Sequence, residues 1–245
     1  MVRPTFGRDE PLPADVEQQA LQRGVEWFIK SKLLLDRSRL GDKWKSLQAA
    51  GGLVAFSGGR NELPTPPPDA PVGDGTLGIL EAPLSIILPD GSQMQGVARR
   101  GDCTGESAMA LAFGGKIFRD PQKTAIARNL LDFWYFISDA CKKERGDPKH
   151  GAYGLIAWGI DSPAWYVANY GDDNARLLMG TMAAAALLKT DQWDEPMMRC
   201  LLANLRTTGP LGFRGDRIDI PALSQQGWRP FFERKITSYS PHMES

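Results

Sequence analysis

Two stretches of the sequence set carboxylates beside arginines at spacings suited to acid–base work. In Arg99-Arg100-Gly101-Asp102-Cys103-Thr104-Gly105-Glu106, the residues Asp102 and Glu106 stand four apart. A helix beginning near Asp102 would project both from one side. Capping accounts for the same pattern, with Asp102 or Thr104 as the N-cap and acidic first-turn residues complementing the helix dipole. In Tyr170-Gly171-Asp172-Asp173-Asn174-Ala175-Arg176, Gly171 permits a sharp turn and Asp172 can cap the helix that follows. Capping needs only one of two adjacent carboxylates. Asp173 is left for a ligand or for an ion pair with Arg176, one turn on. A carboxyl placed against aromatic rings would have its pKa raised, as a general acid requires.

Aromatic rings are at hand in the loop between them. Residues 146–171 carry His150, Tyr153, Trp158, Asp161, Trp165 and Tyr166 among glycines and prolines. Ring faces suit the apolar faces of sugars, and charged neighbours can bond to hydroxyls. The same rings can also simply cover helix ends. The run Phe133-Trp134-Tyr135-Phe136 lies inside a helical pattern and reads as core.

The elements that must hold these residues are mainly helices. Asp15–Leu35 has helical apolar spacing, with Trp27 and Phe28 heavy enough to anchor a core. Residues 51–98 form a long loop broken by paired glycines and by Pro66-Pro67-Pro68. Within it, Ser85–Leu88 and Gln95–Ala98 flank a Pro89-Asp90-Gly91 turn and predict a small β-hairpin. Helices are expected over Glu106–Phe118, over Pro121–Lys143 after the Asp120-Pro121 cap, and over Asp173–Leu188 and Glu195–Thr207. Residues 210–245 read as largely irregular. Paired helices with short turns at one end and long loops at the other suggest a single domain of α-hairpins spanning 1–245.

Composition narrows the partners. Lys+Arg and Asp+Glu both number 29, so there is no overall positive field to gather nucleic acid. Three widely spaced cysteines, Cys103, Cys141 and Cys200, include no CxxC pair, and two histidines cannot build a multi-histidine metal centre. No cofactor or metal is expected. An odd thiol count and the lack of a signal-like apolar stretch point to a reducing, cytoplasmic compartment. The longest apolar run, Leu177–Leu188, is too short for a bilayer, which needs ~20 residues.

The runs Arg99–Ala110 and Tyr170–Arg176, with Trp193-Asp194-Glu195 and Leu202–Gly209, resemble the (α/α)6-toroid, six-hairpin glycosidase-like proteins over roughly residues 14–245. The resemblance implies an all-α toroid with a cleft at the loop end and Asp/Glu as catalytic acid and base or nucleophile. A complete toroid has about twelve helices and only five or six are recognisable, so a partial toroid is expected. Its exposed helix faces would be covered by a further domain or a second copy of the chain.

The expected activity is hydrolysis of an oligo- or polysaccharide. Asp173 would act with Asp102 or Glu106, and Asp172, Arg176, Arg99, Trp158, Asp161, Trp165, Tyr170 and His150 would hold the sugar. A non-catalytic carbohydrate-binding or protein-interaction module predicts binding that survives loss of the carboxylates. An epimerase or isomerase would instead lean on a histidine base, His150 being the candidate.

Overall fold

The computed structural model describes residues 6–38, 62–64, 66–81, 83–87, 89, 93–96, 98–215 and 217–237. The protein is mainly helical, with eight α-helices and two small antiparallel sheets among the described residues. The first helix, α1 (Val16–Lys30), stops five residues short of the expected Leu35. Lys32 takes a left-handed φ of 60°, and Leu33–Leu35 then run extended against a segment of the long loop. Leu35 N–H donates to Gly78 O at 2.9 Å and Leu80 N–H to Leu33 O at 3.0 Å. Three consecutive leucines are all buried this way, whereas successive residues of a helix would fan out by about 100° each.

The expected hairpin is present as β2 (Pro83–Ile87) and β3 (Gln93–Gly96), and β1 (Glu62–Pro64) joins it to give the order β1-β3-β2. Residues 51–61 of the expected loop, Asp90 and Gly91 of the expected turn, and the chain beyond 237 lie outside the described residues.

The core is built on α2 (Gly101–Ile117), α3 (Pro121–Asp132) and α5 (Gly171–Leu188). Asp120 caps α3 as its sequence predicts, accepting from the N–H groups of Gln122 and Lys123. That helix does not continue to Lys143. It widens into a π-helical turn over Phe133–Ile137, closed by Ser138 N–H donating to Phe133 O at 2.7 Å. The wider turn lets Phe133, Trp134 and Tyr135 all face inward, while Phe136, expected in the core, is 44% exposed.

Helices α2 and α5 run side by side in the same direction, and glycines let them touch. A Cβ on Gly180 would lie 2.3 Å from the Gly105 carbonyl oxygen. One side of α2 reads Gly101, Gly105, Ala108, Ala112, Gly115 at helical spacing, all buried.

Helix α4 (Pro163–Val167) lies inside the aromatic loop. Beyond α6 (Asp194–Arg206), the segment expected to be irregular forms α7 (Ile220–Gln226) and α8 (Arg229–Glu233), each with proline in its first turn. Strand β5 (Ile218–Asp219) pairs with β4 (Ala168–Asn169) just ahead of α5. On α6, Met198, Leu201, Leu202 and Leu205 form an exposed apolar stripe. Among the described residues no helix is long and apolar enough to cross a membrane.

Candidate active site

The two carboxylate-bearing segments meet because both open helices that pack together. Neither opens by capping with its aspartate. The N-caps are Arg100 and Tyr170, without side-chain cap bonds, so Asp102, Asp172 and Asp173 all sit inside their helices' first turns. Capping therefore explains none of them, Asp172 included. Thr104 is not a cap either, its hydroxyl donating back to Arg100 O at 2.7 Å.

Arg100 is the hub. Its Nη2 donates to Asp102 Oδ2 at 2.8 Å and to Asp173 Oδ1 at 3.0 Å, and its Nη1 to Glu81 Oε1 at 2.9 Å. Two carboxylate oxygens on one nitrogen lie within about 6 Å of each other, nearer the ~5 Å separation of retaining glycosidases than the wider inverting class. The guanidinium also lies over the Trp158 ring, 5.2 Å from its centroid. Both aspartate side chains are about one-twentieth exposed, at 5% and 6%.

Burial pushes the Asp173 carboxyl up to about 7, and the neighbouring Asp102 charge adds to the rise while Arg100 opposes it. The site thus tends to keep one proton near neutrality. Cys103, next to Asp102, has its thiol pushed up by burial and by that carboxylate, so it is held as a thiol.

Arg176 does not pair with its own turn. Half-exposed, it reaches across to α2, with Nη1 3.8 Å from Asp102 Oδ2 and Nε 3.7 Å from Glu106 Oε1. Glu106 is itself half-exposed, so these two residues form the solvent side of the cluster. Tyr170 completes that edge, meeting Trp158 edge-on with ring centroids 5.1 Å apart and its hydroxyl 3.4 Å from Arg217 Nη1.

Several expected ligand-holding residues have other work. Arg99 is bound to Asp161 through Nε at 3.0 Å and Nη2 at 2.5 Å, and its N–H donates to the same carboxylate at 2.8 Å. A fourth donor, Nη1, goes to Leu77 O at 3.0 Å. This buried pair ties loop to loop and leaves neither partner for a sugar. Trp165 is 5% exposed and packed under Trp158 at 4.5 Å, so it supports the upper ring and cannot stack on a ligand.

His150 stands apart from the cluster. Its Nδ1 accepts from Ala152 N–H at 3.0 Å, which puts the imidazole proton on Nε2, 2.9 Å from Ser224 Oγ. Ser224 in turn donates to Ile220 O at 2.9 Å. The histidine joins α7 to its loop, and no hydrogen bond connects it to the carboxylates.

Arg100 and Glu81 belong to the cluster although neither stands among the expected site residues. The signal lay in the Arg99-Arg100 pair. Arg100 has extended backbone, φ −124° and ψ 154°, and neighbouring side chains of an extended segment point opposite ways. One arginine goes to Asp161 and the other to the aspartates. Two further residues hold the frame. Asn174 clamps the Ile156 peptide, accepting from its N–H at 3.2 Å and donating to its oxygen at 3.0 Å. Arg145, wholly buried, donates to Tyr166 O at 2.6 Å and to Asn169 Oδ1 at 2.9 Å, fixing the approach to α5.

Among the described residues no group of three or more His, Cys, Asp and Glu is arranged to hold a metal ion. The three cysteines are free. No protein-family model, curated protein sequence or solved structure matches this chain.

Proposed function

We propose that the protein hydrolyses glycosidic bonds of an oligo- or polysaccharide, with Asp173 and Asp102 as the acid–base pair. One observation carries the reading: two buried aspartates from two helix starts share one arginine nitrogen, and one of them holds its proton to about pH 7. Asp173 is the proton donor to the leaving oxygen, since a protonated carboxyl near neutrality is what that step needs. Asp102, held by Arg100 Nη2 at 2.8 Å, serves as nucleophile, the role the close spacing favours. Arg176, Glu106 and Tyr170 form the edge a sugar would meet. The helical hairpins and the exposed stripe on α6 suit a toroid whose outer faces are covered by a neighbouring segment or a second copy.

The test is turnover of a panel of aryl glycosides and oligosaccharides. Asp173→Asn and Asp102→Asn should each lower kcat by ~100-fold or more, the usual contribution of a positioned acid or base. In the wild type, kcat/KM should fall above about pH 7 as Asp173 loses its proton. Retention of hydrolysis in both variants sinks the assignment.

A second reading is favoured by the low exposure of both aspartates, namely a non-catalytic module in which the cluster locks two helix starts together. It predicts that both variants change the melting temperature and leave carbohydrate binding intact.

A further inference from the structure

The far ends of α2 and α5 flank a half-open groove, about 21 Å along α2 from Asp102 at helical rise. Together with the start of α3 they line a cavity of about 620 Å³, the size of a small-molecule site. Its apolar part comes from Ile117, Leu187 and Leu188, and its charged part from Lys116, Arg119 and Arg128. No aspartate or glutamate lines it.

The three cations take no part in the ion pairs formed among the described residues. The adjacent acid, Asp120, is already engaged with the Gln122 and Lys123 N–H groups and with Lys123 Nζ. Arg128 is held in place by Gln192 Oε1 at 2.7 Å and by the Trp193 ring at 5.8 Å. Arg119 has a left-handed φ of 53° just past the end of α2, where glycine would relieve the backbone and an arginine costs it.

Cations are expected where helices end, and two parallel C-termini supply roughly half a negative charge each. Three cations exceed that by about two charges, which is the charge of a dianion. Two guanidinium groups add planar forks suited to phosphate oxygens. We propose that this cavity binds a small phosphate monoester, its dianion on Arg119, Arg128 and Lys116 and its organic part on Leu187, Leu188 and Ile117. The site is separate from the carboxylate cluster and stands whether or not that cluster cleaves glycosides.

The test is calorimetric titration of the full chain with phenyl phosphate and with inorganic phosphate, at constant ionic strength. Saturable one-site binding is expected, with phenyl phosphate at least about tenfold tighter because only it fills the apolar part. Arg119→Gly, which suits the left-handed backbone and keeps the fold, and Arg128→Gln should each weaken it about tenfold or more. Lys143→Gln, outside the cavity, should not change it. Equal affinity for the two phosphates overturns the monoester assignment. No saturable binding, or binding unaltered in both cavity variants whose melts show them folded, overturns the site itself.

Discussion

Asp102 and Asp173, 71 positions apart in the chain, hold the same nitrogen of Arg100 at 2.8 and 3.0 Å. The contact is a consequence of helix packing. Gly105 and Gly180 bring the two helices into backbone contact, and the parallel direction puts both first turns at one end. Two N-termini there favour negative charge, and Arg100 adds a full positive one. Against this stand burial and three carboxylates around the one guanidinium. The balance leaves Asp173 holding a proton to about pH 7.

That proton gives stability a pH dependence of definite sign. A raised carboxyl pKa means the native state binds more protons than the unfolded one between the ordinary aspartate value of 3.8 and about 7. Stability contributed by Asp173 therefore declines as pH rises through that window and levels off above it. Asp173→Asn removes the dependence. Urea melts at pH 5 and pH 8 should show the wild type losing more stability than the variant, by on the order of 1–2 kcal/mol. Equal losses in the two proteins mean Asp173 titrates normally.

Removing the hub should be costlier than removing either spoke. Arg100→Ala leaves buried carboxylates without their counter-charge, a change of about 3–5 kcal/mol in comparable buried pairs. Adding Asp173→Asn to that background should cost little more, because loss of Arg100 raises the Asp173 carboxyl further and its side chain is already neutral at pH 7. The measurement is a double-mutant cycle by urea unfolding at pH 7, and the two effects should be strongly non-additive. Additive losses would show that the residues do not act as one cluster.

Much of this arrangement was legible in the sequence, and the rest had a physical reason for being hidden. The Asp120-Pro121 start, the α5 turn and the hairpin near Pro89 all rest on local backbone chemistry, which a short window contains. Asp102 and Asp173 were likewise visible as carboxylates at helix starts. Their shared partner was not, because adjacent Arg99 and Arg100 are told apart only by the alternation of an extended segment that ends at the helix. Asp161 and Trp165 looked like ligand-holding groups in a polar loop. Tertiary contacts with Arg99 and Trp158 turned them into supports. The π-helical turn was hidden for a similar reason, since the aromatic run continues the helical pattern and only packing widens it.

The Arg99–Asp161 pair offers a clean separation of structure from chemistry. Asp161→Asn should destabilise the fold by about 3–5 kcal/mol, since it strands a buried guanidinium. Activity per folded molecule, measured well below the melting temperature, should change little, because neither residue touches the Asp102–Asp173 pair. A large fall in kcat with an unchanged melt would place Asp161 in the active site after all.

Helix approach can be tested without touching a charge. In Gly180→Ala the added methyl would meet the Gly105 carbonyl oxygen at 2.3 Å, and that neighbour is backbone, which cannot rotate aside. The helices must then move apart, with overpacking costs of about 1–3 kcal/mol or more. The same shift draws Asp173 off Arg100 and away from Asp102, so kcat should drop further than the loss of folded protein explains. Gly24→Ala, on the exposed side of α1 with nothing within 4 Å of its added methyl, is the control and should be neutral or slightly stabilising. Melting curves and initial rates on the same samples decide it: a Gly180→Ala protein that melts and turns over like wild type would mean the glycine contact does not set the carboxylate spacing.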